Sequence, residues 1–210
     1  MKNIAVFASG GGSNFKSIHH FVQSGEIPGC IVLTVSNNPD SGAIIYAKKN
    51  QISTLVINKG LYPNPVGQRE LLIQALVDNN VDLICLAGYM KLLPKSIVQQ
   101  YKNRILNVHP ALLPQFGGKG FYGIKVHQAV ISSGAKDSGV TVHFVDEEYD
   151  HGQIIAQEKI EVLNEDTPET LAERILKVEH ELYPQVVKAF CEDRIIWENN
   201  HPKIEVMIEN

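Results

Sequence analysis

Asn107 and His109 are the two residues of this chain best suited to chemistry at an acyl carbon. They alternate with the apolar Leu106 and Val108, so an extended strand through residues 105–108 projects both polar side chains from one side. Pro110 withholds a backbone donor and stops that strand. An amide and an imidazole are thereby presented together at a strand's C-terminal end, where open α/β sheets place their ligands. An amide donor beside an imidazolium suits stabilising an oxyanion and moving a proton. A lone histidine at a strand end is more often a hydrogen-bonded structural residue. Asn107 on the same face favours the functional reading.

A reaction of that kind also needs a carboxylate and a means of holding substrate. Asp150, beside Gly152 at a hairpin corner, is the best candidate carboxylate, whereas Asp146, Glu147 and Glu148 read as solvated turn residues. A metal site through His143, Asp150 and His151 matches no zinc spacing, and no metal is expected. The run Ser9-Gly10-Gly11-Gly12-Ser13-Asn14 lies between a strand and a helix, where converging backbone N–H groups favour an anion. Phe15 stands where a dinucleotide fingerprint or a Walker loop would need glycine. The loop is therefore expected to hold a phosphate, but in neither of those manners; a tight structural turn is the alternative. Glu179 lies near the apolar stripe of the last helix and needs a partner, either an internal cation or a substrate hydroxyl. No serine elbow is present, and the three cysteines sit in apolar runs that disfavour thiolates.

Apolar, β-branched runs at 4–8, 31–35, 54–57, 83–86 and 105–108 alternate with helical patterns at 14–24, 41–50, 67–79 and 95–101. Near-continuous apolar strands separated by helices predict a buried parallel sheet, hence an α/β, doubly wound, mostly parallel fold. After Pro110 the pattern changes: a glycine-rich loop, a short helix at 126–132, strands at 139–145 and 154–162 around a turn at 150–152, and a long final helix. Asp166 with Glu169 predicts a capping box there, and Leu171, Ile175, Val178, Leu182 and Val186 mark its apolar stripe. The tail from Arg194 is expected to add a hairpin. One domain over 1–210 is expected, with 1–110 a nucleotide-fold half that binds phosphate and 111–210 a mixed half.

Composition narrows the class. With 210 residues, 44% hydrophobic and 20% charged, the chain can bury an ordinary globular core. A net charge of −4 argues against a nucleic-acid surface. Three scattered cysteines suit reduced thiols in the cytoplasm. The N-terminal run enters a strand directly and is too short for a signal sequence, and nothing approaches 18 consecutive apolar residues, so no membrane span is expected.

Together, the loop at 9–14, Leu-Ala-Gly-Tyr-Met at 86–90, Asn-Val-His-Pro-Ala-Leu-Leu-Pro at 107–114, Val-His-Phe-Val at 142–145 through Asp150, and Glu179-His180 resemble the folate-dependent formyltransferases, and among them the phosphoribosylglycinamide branch. The resemblance implies a Rossmann-like formyltransferase fold and transfer of the formyl group of 10-formyltetrahydrofolate to the amine of N1-(5-phosphoribosyl)glycinamide in purine biosynthesis. It implies Asn107, His109 and Asp150 as the catalytic trio; Gly12, Ser13 and Asn14 on the substrate phosphate; Glu179 on the ribose hydroxyls; and Met90, Lys91, Leu92, Leu93 and Asn107 along the folate. The folate is a co-substrate, with no tightly bound cofactor, and the partners are small molecules around a monomer or homodimer. The chain departs from that pattern at Gln115, commonly Lys or Ser there, and in a longer, more glycine-rich loop at 116–125. Lys59 and Arg69 are the candidates for the folate glutamate tail. A methionyl-tRNA formyltransferase would need a longer, basic chain, and a formyl-folate hydrolase an added N-terminal domain. A non-catalytic phosphate-binding module would need none of the trio.

Overall fold

The apolar runs of the first half form strands because both their faces are covered. In a computed structural model that describes residues 1–205, β1 (Lys2–Phe7) lies between β2 (Gly29–Ser36) and β4 (Leu83–Leu86), parallel to both, and Ile4 to Phe7 are fully buried. β2 pairs in turn with β3 (Ser53–Val56), also in parallel. The helices that return the chain between strands are α1 (Ser13–Gln23), α2 (Gly42–Lys49), α3 (Pro65–Asp78) and α4 (Lys95–Gln100). Their ends follow local chemistry. Ser41 caps α2 by accepting from the Ile44 N–H, and Asn64 caps α3 ahead of Pro65 at the first helical position.

The chain divides into two compact units, Met1–Leu106 and Asn107–Asn210, with β5 (Ile105–His109) running through the boundary. The second unit continues through α5 (Ile124–Ser133), β6 (Asp137–Phe144), β7 (Ile154–Glu161) and α6 (Pro168–Cys191), and ends in a hairpin of β8 (Ile195–Glu198) with β9 (His201–Ile204). The strand order is β3-β2-β1-β4-β5-β6-β7, with β7 antiparallel to β6. The fold is thus α/β with a doubly wound, mostly parallel sheet and a mixed C-terminal portion. The hairpin expected from Arg194 onward is present; residues 206–210 lie outside the described residues. No helix among the described residues is long and apolar enough to cross a membrane. Cys30, Cys85 and Cys191 are in no disulfide.

Two expectations for the last helix need correcting. Its N-cap is Thr167 rather than Asp166, and the capping box is reciprocal between Thr167 and Thr170. Pro168 explains this: proline fits the first helical position, which makes the residue before it the cap. Asp166 instead accepts from the Leu163 N–H and pairs with Arg174. The buried stripe is also turned by one residue: Glu179 and Tyr183 are buried, while Val178 and Leu182 are only half-buried. Positions 171, 175, 179 and 183 lie four apart on one face, so the helix buries a carboxylate and a phenol in line with Leu171 and Ile175.

β6 and β7 approach so closely at Gly139 that a Cβ there would lie 2.1 Å from the Glu158 carbonyl oxygen and 2.7 Å from Leu112 Cδ2. Gly139→Ala is expected to destabilise the fold by about 3 kcal/mol, the upper end for overpacking against backbone that cannot yield. A denaturant midpoint that does not move would show that the strand pair can spread at this point.

Candidate active site

β5 delivers Asn107 and His109 as its alternation requires: Leu106 and Val108 are buried, Asn107 is half-buried, and His109 is 4% exposed at the strand's end. Pro110 follows, and residues 111–113 are pinned by Thr141 of β6. Its hydroxyl donates to the Ala111 carbonyl at 2.7 Å and accepts from the Leu113 N–H at 3.0 Å. The next peptide, Leu113–Pro114, is cis.

β6 carries His143 two residues beyond Thr141 on the same face, and the chain then turns back through Asp150 and Gly152 to β7. Asp150 has φ +54°, a left-handed conformation that aspartate tolerates. A Cβ on Gly152 would lie 1.9 Å from the Phe144 carbonyl oxygen, so this corner requires glycine.

The turn brings Asp150 to the end of β5. Its Oδ2 lies 3.5 Å from His109 Nδ1, and its Oδ1 lies 3.4 Å from Asn107 Nδ2 and 3.7 Å from His143 Nε2. Asn107 Nδ2 also reaches His143 Nε2 at 3.0 Å, while His143 Nδ1 meets the Phe144 carbonyl oxygen at 2.7 Å. A carbonyl only accepts, so His143 carries its proton on Nδ1 and offers Nε2 as acceptor to the Asn107 amide. The glycine-rich loop closes the arrangement. The Phe116 carbonyl accepts from His109 Nε2 at 2.8 Å, and the Gly118 N–H donates to Asp150 Oδ2 at 2.9 Å. A Cβ on Gly117 between them would come within 2.4 Å of Leu113 Cδ2 and 3.2 Å of Asp150 Cβ, so a side chain there would have to displace Leu113.

Electrostatics follow from that burial. Burial holds the His109 imidazole below its ordinary range; Asp150 and the Phe116 carbonyl pull it upward without overcoming this, and His143 adds to the depression. Asp150 does raise the imidazole, but desolvation is the larger effect. Burial alone would raise the Asp150 carboxyl, but His143 and His109 beside it and the Gly118 N–H donating to it together hold it below the ordinary carboxylate range. The site thus keeps an ionised carboxylate against an imidazole with an acceptor at each ring nitrogen. His127 of α5, 5% exposed, is pushed down to about 4 by burial and by the charge of His109.

The structure therefore brings Asn107, His109 and Asp150 together. His143 joins them as the residue that orients Asn107; in the sequence it stands only as a possible metal ligand and as part of the Val-His-Phe-Val run. The available signal was its spacing of two from Thr141 on a strand, which puts both on the face toward the site. His151 turns instead to Asp146, 2.6 Å away at the surface, which separates it from the metal set considered with His143 and Asp150. The contacts of the Phe116 carbonyl and the Gly118 N–H had no sequence signal beyond the glycines.

In the first unit, the loop at 9–14 joins β1 to α1. Gly12 has φ +70°, and a Cβ there would meet Ala43 Cβ at 3.0 Å, so the position is reserved for glycine. α1 begins with no side-chain cap and no acidic residue in its first turn, which leaves its N-terminus electropositive. Ser13 is half-buried and Asn14 buried. Met90 and Leu92 are 48% and 47% exposed, Lys91 is exposed and Leu93 is core. Glu179 is buried on α6.

The pattern of the Formyl transferase family matches residues 2–187. The chain belongs to this family. It is 51% identical over 212 residues to the chloroplastic phosphoribosylglycinamide formyltransferase of Arabidopsis thaliana, covering 97% of this chain and 70% of that one. It is 38% identical over 200 residues to the phosphoribosylglycinamide formyltransferase of Haemophilus influenzae, covering 95% and 92%. Of two further plant relatives it spans only 63% and 65% of the length. Among solved structures, the glycinamide ribonucleotide transformylase 1 of Symbiobacterium toebii superposes with a TM-score of 0.89 at 36% identity, covering 97% of this chain and 94% of that one. As a member of the formyl transferase family, the chain sets its Asn-Val-His-Pro run at the end of β5, and the Asp150 turn reaches back to it.

Proposed function

We propose that this protein transfers the formyl group of 10-formyltetrahydrofolate to the amine of N1-(5-phosphoribosyl)glycinamide in purine biosynthesis. The observation that supports this most is the Asp150 carboxylate, ionised and within reach of both His109 and Asn107. A binding module needs no such trio. The similarity to phosphoribosylglycinamide formyltransferases supports the choice of substrates.

The amine nitrogen attacks the formyl carbon, and the carbonyl π electrons move onto oxygen. Asn107 Nδ2 donates to that oxygen, exchanging a hydrogen bond to His143 or Asp150 for one to the oxyanion. His109 rests largely neutral because it is buried, and the oxyanion forming beside it favours its cation. Asp150 accepts the proton shed by the new ammonium and passes it to N10 of the folate. The C–N10 bond then breaks as the carbonyl re-forms, releasing N-formylglycinamide ribonucleotide and tetrahydrofolate. No covalent enzyme intermediate is required; binding both substrates supplies proximity.

In this reading Gly12, Ser13 and Asn14 hold the phosphate at the N-terminus of α1. Glu179 meets the ribose hydroxyls, and Met90 to Leu93 form the folate wall, with Lys59 or Arg69 toward the glutamate tail. Residues 1–110 and 111–210 act as the phosphate-binding and catalytic halves of one formyltransferase domain. The protein works in a reducing compartment such as the cytoplasm, as a monomer or homodimer.

Steady-state turnover tests the reading: consumption of 10-formyltetrahydrofolate should require the ribonucleotide, and ribonucleotide-independent consumption counts against it. Ser13→Asp sets a negative charge where the phosphate would lie. It is expected to raise KM for the ribonucleotide at least about tenfold, from like-charge repulsion near a helix terminus, with KM for the folate little changed. Equal effects on both would refute this division of labour.

A further inference from the structure

At the C-terminal ends of the four parallel strands of the first unit, hydrogen bonds link the loops in strand order. Asn58, after β3, donates through Nδ2 to the backbone carbonyl of Asn37 at 3.1 Å. Asn37, after β2, accepts at Oδ1 from the Ser9 hydroxyl at 2.5 Å. Ser9, after β1, accepts at the same hydroxyl from the Met90 N–H at 2.9 Å, and its own N–H donates to the Gly88 carbonyl at 3.0 Å, both after β4. The hydroxyl is used as donor and acceptor at once.

What leaves this junction gives it meaning. One residue past Ser9 the chain enters the glycine loop, whose Gly10 carbonyl accepts from the Ala43 N–H at 3.1 Å. Past Gly88, at φ +75°, it enters the exposed segment that begins with Met90. We propose that Ser9 is a positioning residue whose hydroxyl holds the phosphate loop and the folate wall in one register, so that a single side chain supports the binding of both substrates. The inference rests on the functional reading above.

Alanine at position 9 removes both hydroxyl contacts and leaves the Met90 N–H to water. Asn37→Ala removes only the acceptor that orients the hydroxyl, which can still accept from Met90. Ser9→Ala is expected to raise KM for the ribonucleotide and for the folate together, each about tenfold, the scale of losing such hydrogen bonds, with kcat changed far less. Asn37→Ala should give the same pattern more weakly, and the double variant should do no worse than Ser9→Ala, since both act through one hydroxyl. A general structural defect would instead lower kcat or active fraction and add to that of Asn37→Ala. If Ser9→Ala does not fold, a rise in both KM values for Asn37→Ala supports the proposal, and unchanged values overturn it. Turnover by wild type with either KM unmoved in Ser9→Ala overturns the role of Ser9 alone. Absence of wild-type turnover overturns the functional reading and this inference with it.

Discussion

Asp150→Asn is expected to lower kcat at least about a hundredfold, the scale of losing a positioned proton acceptor, with both KM values near wild type. Asparagine keeps the size of the side chain and an oxygen to accept from the Gly118 N–H, so the loop contact at 116–118 can persist. What it loses is the charge. Asp150 is held ionised by His143, His109 and Gly118 in spite of its burial, and it is the group that pulls His109 upward against desolvation. The variant should therefore also shift His109: its imidazole, already below the ordinary range, is expected to titrate at still lower pH when followed by NMR. A variant that loses turnover with His109 unmoved would mean that Asp150 acts on substrate without setting the charge of the imidazole. Full activity in the variant would remove Asp150 from the chemistry.

The second large effect is on stability, and it comes from His127. In the folded chain this imidazole is pushed down to about 4 from its ordinary 6.5, by burial first and by the charge of His109 second. Below pH 6.5 the unfolded chain takes up a proton that the folded chain refuses, so stability is lost as pH falls. The loss begins at the unfolded pKa and is complete at about the folded one. At about 1.4 kcal/mol for each unit of pKa, His127 alone removes about 3 kcal/mol between pH 6.5 and pH 4. That is a large share of the stability of an ordinary domain. His127→Gln should flatten this part of the profile while leaving the neutral-pH value closer to wild type. Parallel profiles for the two proteins, measured by denaturant unfolding at each pH, would show that His127 accepts its proton within the fold.

The sheet was the most legible part of the sequence. Strands buried on both faces must be apolar throughout, and the runs at 83–86 and 105–108 announce β4 and β5 almost to the residue. The last helix was legible in extent but not in rotation. A wide apolar arc admits two stripes one residue apart, and Glu179 gave no hydrophobic reason to choose the buried one. In the site, Asn107 and His109 could be read because a strand's period of two fixes which side chains share a face. Asp150 could be read because a glycine-flanked corner returns the chain. Tertiary contacts made by backbone groups carry no residue signature, which is why the Phe116 carbonyl on His109 and the Gly118 N–H on Asp150 were not foreseeable. The same holds for the sign of the His109 shift. A neighbouring carboxylate is visible in sequence, but the depth of burial that outweighs it is a property of the packed core.

The proposed reaction carries the formyl carbon from folate nitrogen to the ribonucleotide amine. It is tested most directly with 10-formyltetrahydrofolate labelled at that carbon, incubated with the protein and N1-(5-phosphoribosyl)glycinamide. The expected result is label in N-formylglycinamide ribonucleotide, one for each tetrahydrofolate released, and none in formate. Label appearing in formate at the same rate with or without the ribonucleotide would contradict the claim and make the protein a hydrolase.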